Sequence, residues 1–288
     1  MALSIQSNMA SMSIQNQLGR SNNDLSTALE RLGSGFKINS AKDDAAGLQI
    51  ASRLNAQVKG QEAGLYNGAN AMSMMQTAEG AFDEMTNIAY RMKELATQGA
   101  SDANGATEWT AQSAEYKALT SELDSIMKNT TFGGTALLEG AASKFAAAAG
   151  VKFQVGSSNT ETLTVNIAGS LDATTGVAKN IDDIQALTTG GFGSVAEAQA
   201  HIAEIDKLIA DVGTARSSLG ASMNRLEHTM TNVTNMKENT QAAAGTLMDA
   251  DFAAETSNMT KQQLLMNSGI SVLSTANSTT QMIGSLLR

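Results

Sequence analysis

The sequence predicts a mainly α-helical protein: an elongated rod of long coiled-coil helices, with a small β-hairpin subdomain and its N- and C-terminal helices paired. Three observations predict it. A stripe from Ile202 to Leu247 (Ile202, Ile205, Ile209, Val212, Arg216, Leu219, Met223, Leu226, Met230, Val233, Lys237, Thr240, Ala244, Leu247) alternates spacings of three and four without a slip, which is the heptad pattern that keeps one helix face against another. Proline is absent from all 288 residues, so long uninterrupted helices are permitted everywhere. Aromatic residues make up only 4% of a chain that is 42% hydrophobic, which suits thin seams of Met, Leu, Ile and Ala better than a deep core anchored by large rings.

The N-terminal seam runs through Ile5, Met9, Met12, Leu18, Leu25, Leu29 and Leu32 and stops at Gly33-Ser-Gly35, two glycines that favour a break. The next helix is expected to begin after Asn39 or Ser40, with Asp43 and Asp44 in its first turn at the positive end of the helix dipole. It runs towards Gln98 behind a stripe of Phe82, Met85, Ala89, Met92 and Ala96, and Gly99–Gly105 reads as a loop. Gln112, Tyr116, Leu119, Leu123, Ile126 and Thr130 mark a further helix. The period then changes to two: Val151, Phe153 and Val155 alternate with polar residues, as do Leu163, Val165 and Ile167, with Gly156–Thr160 between them. That is a hairpin signal, bounded by turns at Phe132-Gly-Gly134 and Gly190-Gly-Phe-Gly193. Beyond the Ile202–Leu247 stripe the apolar repeat resumes at Phe252, Met259, Met266, Ile270 and Leu273 and reaches Leu286 and Leu287.

The terminal seams carry little charge. From Met1 to Glu30 the charged residues are Arg20, Asp24 and Glu30; from Phe252 onward they are Glu255, Lys261 and Arg288. A solvent-facing helix ordinarily carries many more, and such segments are marginal alone in water. They are expected to fold on assembly, with the opposite terminus and neighbouring copies supplying the apolar partner.

Several function classes are excluded. A net charge of −9 argues against nucleic-acid binding, which needs basic patches. No apolar run approaches the ~20 residues of a membrane span, and Met1–Arg20 shows no basic-then-apolar secretory signal. With no cysteine and only His201 and His228, there is no thiolate chemistry, no HExxH site, no phosphate loop and no nucleophile elbow. The acid pairs Asp43-Asp44, Asp182-Asp183 and Asp249/Asp251 read as capping features rather than cation sites. The Met stripe is packing, His228 is a solvated helix position, and Trp109 packs locally near a helix start. No enzyme and no cofactor or metal is expected.

Ser34-Gly-Phe-Lys-Ile-Asn-Ser-Ala-Lys-Asp-Asp-Ala-Ala-Gly-Leu-Gln-Ile-Ala-Ser-Arg53 resembles the signature of bacterial flagellins. The opening Ala2–Asn8, the closing Gln281–Arg288 and the Phe132-Gly-Gly134 turn are similar to the family's termini and hairpin entry, and the resemblance covers 1 to about 135 and 195 to 288. It implies an extracellular motility filament built by self-assembly: an inner coiled-coil layer from about 1–40 with 250–288, and an outer rod of 41–249 with its hairpin region at about 130–175. On this map Ile5, Leu18, Leu25, Leu29, Leu32, Phe252, Met259, Met266, Ile270, Leu273, Leu286 and Leu287 serve polymerisation. Phe82, Met85, Met92, Leu119, Leu123, Leu219, Met223 and Leu226 pack the outer rod. The implied partners are further copies of the chain, an export chaperone and the flagellar type III export apparatus, and the filament cap and hook-junction proteins. Arg91, Leu95 and Glu115 match the patch by which Toll-like host receptors recognise some flagellins, with subunit packing the alternative role for Leu95. The middle is too short for added outer domains, which implies a thin filament. A hook–filament junction protein and a non-polymerising secreted coiled coil stay open as alternatives.

Overall fold

The computed structural model describes residues 8–139, 143–172, 174–188 and 192–286, with the backbone alone at 280, 281 and 283–286. Four long helices dominate: α1 (Met9–Ser34), α2 (Ala45–Gly99), α6 (Val195–Met248) and α7 (Phe252–Leu286). Between α2 and α6 lie α3 (Ala106–Asn129), the two-residue strands β1 (Thr131–Phe132) and β2 (Thr135–Ala136), the hairpin β3 (Val151–Gln154) and β4 (Thr162–Val165), and the shorter helices α4 (Ala168–Leu171) and α5 (Val177–Thr188). The chain divides into two compact units, Met1–Gln57 with Glu238–Arg288, and Val58–Lys237.

Each long helix starts where a side chain replaces a missing backbone partner. The Asn8 side-chain oxygen accepts from the Ser11 amide at 3.1 Å and opens α1. Asp44 accepts from the Gly47 amide at 2.9 Å at the head of α2, and Asp251 accepts from Ala253 and Ala254 at the head of α7. These contacts satisfy donors left over by the first helical turn. Helix α2 therefore starts later than the sequence predicts. Asp43 is not in its first turn but closes a preceding turn, accepting from the Asn39 and Ser40 amides and the Ser40 hydroxyl. The Ser40 amide is the main reason that the Asp43 carboxyl titrates below its ordinary value. Gly35, at φ 76°, ends α1 in the left-handed conformation that side-chain-bearing residues avoid.

The unit Val58–Lys237 holds the larger core. On α2 Gln61, Gly64, Gly68, Ala71, Met75, Ala78, Phe82, Met85, Ala89, Met92, Ala96 and Gly99 form a buried row that again alternates three and four, with Met74, Ile88 and Leu95 buried beside it. On α6 every member of the predicted stripe is buried or half-buried, Ile205, Val212, Leu219, Leu226, Val233 and Ala244 fully so. Leu123 of α3 is buried, and Leu119 and Met223 are half-buried against the same cluster. Ion pairs Lys93–Asp206 and Arg216–Asp83 flank the α2–α6 contact. Phe82, Met85, Met92, Leu119, Leu123, Leu219, Met223 and Leu226 thus all join one core.

The β3–β4 hairpin pairs Val151 with Val165 and Phe153 with Leu163, and Leu163 and Val165 are turned into the core. Its tip rests on α2 where the helix carries glycine. A Cβ on Gly64 would stand 2.5 Å from the Val155 carbonyl oxygen, and one on Gly60 would stand 2.6 Å from Ser157 Cβ. Asn67 Nδ2 donates to the Gln154 carbonyl at 3.2 Å. The tight β1–β2 turn uses Gly133 and Gly134, both at positive φ, which is the geometry that suits a two-residue hairpin loop. Helix α5 had no sequence expectation; Ile181 and Ile184 pack it into the same core, and its buried Asn180 donates to Asp211 of α6 at 2.7 Å.

Candidate functional site

In the unit Met1–Gln57 with Glu238–Arg288, α1 and α7 lie antiparallel along their length. Their contacts run in opposed order: Arg31 meets Glu255 at 3.0 Å, Gln262 donates to Asp24 at 3.4 Å, Gly269 faces Leu18, and Ser11 donates to Asn277 at 3.1 Å. The seam on α1 is Ser11, Ile14, Leu18, Ser21, Leu25, Ala28 and Leu32; on α7 it is Glu255, Met259, Gln262, Met266, Gly269, Leu273 and Ala276. Both sets alternate three and four, the coiled-coil period. A Cβ on Gly269 would stand 2.7 Å from Leu18 Cδ2, so glycine there lets the leucine close onto the facing helix.

The chain re-enters this pair through two strand-like connections. The Lys37 amide donates to the Met248 carbonyl at 2.6 Å, the Ala250 amide donates to the Gly35 carbonyl at 2.9 Å, and Phe36 bridges Asp249. The exit from α1 and the entry to α7 are thereby clamped side by side.

Among the sequence-assigned polymerisation residues, Leu18, Leu25, Leu32, Met259, Met266 and Leu273 are half-buried in the α1–α7 seam. Leu29, Phe252 and Ile270 sit outside it and are exposed, as are Met9 and Met12. Ile5 and Leu287 lie outside the described residues, and so does the side chain of Leu286. The sequence reading missed Ser11, Ser21, Gln262 and Gly269 because polar and small residues give no hydrophobic signal.

The outward faces of this pair also carry large apolar side chains. Met9, Met12, Leu29, Phe252, Leu264, Leu265, Ile270, Val272 and Met282 are all exposed, Phe252 at 70% and Leu264 at 68%. Of the exposed large apolar side chains among the described residues, only Tyr66, Tyr90 and Leu187 belong to the unit Val58–Lys237. Large apolar side chains exposed in this number on one helix pair mark a candidate interaction face.

On α2 and α3 the Arg91 guanidinium binds Glu115 through Nε and a terminal nitrogen at 2.9 and 2.8 Å, and Glu94 at 2.7 Å. The bond to Glu115, then that to Glu94, raises the Arg91 pKa. Both Arg91 and Glu115 are exposed, but Leu95 is 2% exposed and belongs to the core. The three residues therefore do not share one accessible surface: Leu95 packs within the chain, while the Arg91–Glu115 pair is exposed.

A polar cluster is buried where α3 meets α6. Tyr116, Phe192 and His201 stack edge to face, with ring centroids 4.8 to 5.1 Å apart. Tyr116 Oη, His201 Nδ1, Glu204 Oε2 and Gln112 Oε1 are enclosed with no hydrogen-bond partner among the described residues. Burial pushes the Tyr116 phenol up, with help from the Glu204 carboxylate. It pushes His201 down, against a smaller opposing pull from Glu197. Trp109, expected to pack near a helix start, donates its indole N–H to the Gly99 carbonyl at 2.8 Å, and His228 is exposed. Among the described residues no group of three His, Asp or Glu could hold a metal ion, and no helix is long and apolar enough to cross a membrane.

Paired terminal helices that expose large apolar side chains, with a core built on long helices, define a mainly α-helical protein. The N-terminal helical region of bacterial flagellin matches residues 5–143, and the C-terminal helical region matches 202–287. Flagellin D of Vibrio cholerae is 32% identical over 371 residues, covering 96% of this chain and 97% of that protein. A flagellin of Listeria innocua is 34% identical over 290 residues, covering 99% of each. The chain belongs to the bacterial flagellin family. A solved structure from Vibrio parahaemolyticus, of a protein assigned as flagellar hook-associated, shares the fold at a TM-score of 0.59 and 18% identity, covering 72% of this chain and 99% of that one.

Proposed function

We propose that this chain is the structural subunit of an extracellular bacterial flagellar filament, and that it assembles by packing its paired terminal helices against those of neighbouring copies. The observation that carries this reading is the set of large apolar side chains exposed on the α1–α7 pair, with Phe252, Leu264 and Ile270 more than half exposed. Burying a Leu, Ile or Met contributes about 1.5–3 kcal/mol each. A handful of such side chains per subunit offsets the cost of ordering and docking the pair.

In this reading about 1–40 and 250–288 form the inner layer of the filament and 41–249 the outer one. The segment 144–201, outside both matched family regions, contributes the β3–β4 hairpin, α4 and α5 rather than a large added domain, so the filament is thin. The subunit leaves the cell through the flagellar export apparatus with the help of a chaperone. The hook-associated likeness concerns the fold, whereas identities above 30% along nearly the whole chain are to flagellins, which favours the filament over the junction.

Concentrating the purified full-length chain in salt and viewing it by electron microscopy tests the proposal. Long helical filaments are expected. A chain that stays monomeric at concentrations well above micromolar overturns it.

A further inference from the structure

The chain has no cysteine and a single tryptophan, but sixteen methionines, so an oxidant meets thioethers before any other strongly oxidisable side chain. Their burial is sharply divided. Met74, Met75, Met85, Met92 and Met127 are buried in the Val58–Lys237 core. Met72, Met223, Met230, Met236, Met248, Met259 and Met266 are half-buried. Among the described side chains only Met9, Met12 and Met282 are exposed, at 65%, 53% and 58%. All three lie on the α1–α7 pair, towards the end where Ser11 meets Asn277. Met9 and Met12 stand outside the seam residues Ser11, Ile14 and Leu18, so changing them leaves the pairing within the chain intact.

We propose that Met9, Met12 and Met282 form an oxidation site through which hydroperoxides, acting on the free subunit, block its assembly, while the assembled filament is protected. The inference rests on the assembly reading above. In each step the thioether sulfur attacks one peroxide oxygen; an S–O bond forms, the O–O bond breaks, and the other oxygen leaves after proton transfer, as water from hydrogen peroxide or as the alcohol from an organic hydroperoxide. The sulfur loses two electrons and the peroxide gains them. The product sulfoxide is polar and a strong hydrogen-bond acceptor. It is harmless on a wetted surface, but docking it against an apolar helix face strips its water with no donor in return. In the filament the same sulfurs are covered by neighbouring copies, which removes the oxidant's access.

The test uses the full-length chain. Soluble subunit and preformed filament are each exposed to hydrogen peroxide, quenched and mapped by peptide mass, and the subunit is then elongated from filament seeds. Met9, Met12 and Met282 are expected to gain one oxygen each before any core methionine, in the subunit and not in the filament. Elongation is expected to fall about tenfold or more, since a buried polar group without a partner weakens docking on that scale. Methionine sulfoxide reductases with a thiol reductant should restore it. A Met9→Leu, Met12→Leu, Met282→Leu variant, judged against its own untreated rate, should lose far less on oxidation. Oxidised subunit that elongates at the untreated rate, or a leucine variant that loses as much as the wild type, overturns the inference. If the untreated subunit fails to elongate, the assembly reading falls and takes this inference with it; a loss confined to the oxidised sample separates the two.

Discussion

Arg31 and Glu255, 224 positions apart, meet at 3.0 Å inside the α1–α7 seam, with 28% and 11% of their side chains exposed. Removing the carboxylate strands a guanidinium whose Nε has no other partner among the described residues. Glu255→Ala should weaken the helix pair by about 1.5–3 kcal/mol, the usual range for a hydrogen bond to a charged group. The Arg31→Glu, Glu255→Arg exchange should recover part of that loss. Urea unfolding of the wild type, Arg31→Glu, Glu255→Arg and the double exchange measures the coupling; additive losses would mean that the pair is not energetically linked.

Gly64→Ala tests the hairpin's seat. At an exposed helical site alanine would stabilise by about 1 kcal/mol relative to glycine. Here the added Cβ would meet the Val155 carbonyl at 2.5 Å, and backbone cannot swing aside as a side-chain tip can. A net destabilisation of about 1–3 kcal/mol is expected, with faster amide exchange across 151–165. A stabilised variant would show that the hairpin does not rest on α2 there.

His201 makes stability depend on pH. Its folded pKa is depressed below the ordinary value of 6.5, chiefly by burial, so the unfolded chain binds the proton more readily. That contribution is intact above the unfolded pKa and is lost as pH falls from about 6.5 through the folded pKa. Tyr116 of α3 and Phe192 stack on the ring and Glu197 of α6 acts on it, while Nδ1 has no hydrogen-bond partner among the described residues. The melting temperature should therefore drop between pH 7.5 and 5, and less so in His201→Phe, which keeps an aromatic ring beside Tyr116 and Phe192. Equal drops would place the acid sensitivity elsewhere.

Leu264→Asn separates folding from assembly. Leu264 is 68% exposed, so the isolated subunit should melt within about 0.5 kcal/mol of the wild type. The critical concentration for filament growth should rise about tenfold or more if the residue is buried at the centre of an intermolecular contact. An unchanged critical concentration would remove this face from the assembly surface.

How far the fold was legible depended on what fills each seam. On α6 nearly every heptad position carries an apolar or long side chain, and all fourteen predicted positions are buried or half-buried. On α2 the same repeat extends back to Gln61, where Gln61, Gly64 and Gly68 carry no hydrophobic signal; the sequence stripe began only at Phe82, although Ala71, Met75 and Ala78 continue it. On α1 and α7 Leu18, Leu25, Leu32, Met259, Met266 and Leu273 marked the seam correctly, but other apolar residues misled in phase. Met9, Met12, Leu29 and Ile270 point outward, while Ser11, Ser21, Gln262 and Gly269 make the seam. A helix with apolar residues all round has more than one partner to satisfy, and periodicity alone cannot say which stripe belongs to its own chain. The Leu95 misplacement has a related cause, since a motif match fixes a residue's position along a helix and not its exposure.

The account places assembly in the terminal helices, and deleting Phe252–Arg288 tests that most directly. Under salt conditions that drive the full-length chain into filaments, electron microscopy of the truncated protein should show none, and it should remain a soluble, partly helical monomer. Filaments formed by the truncated chain would contradict the account.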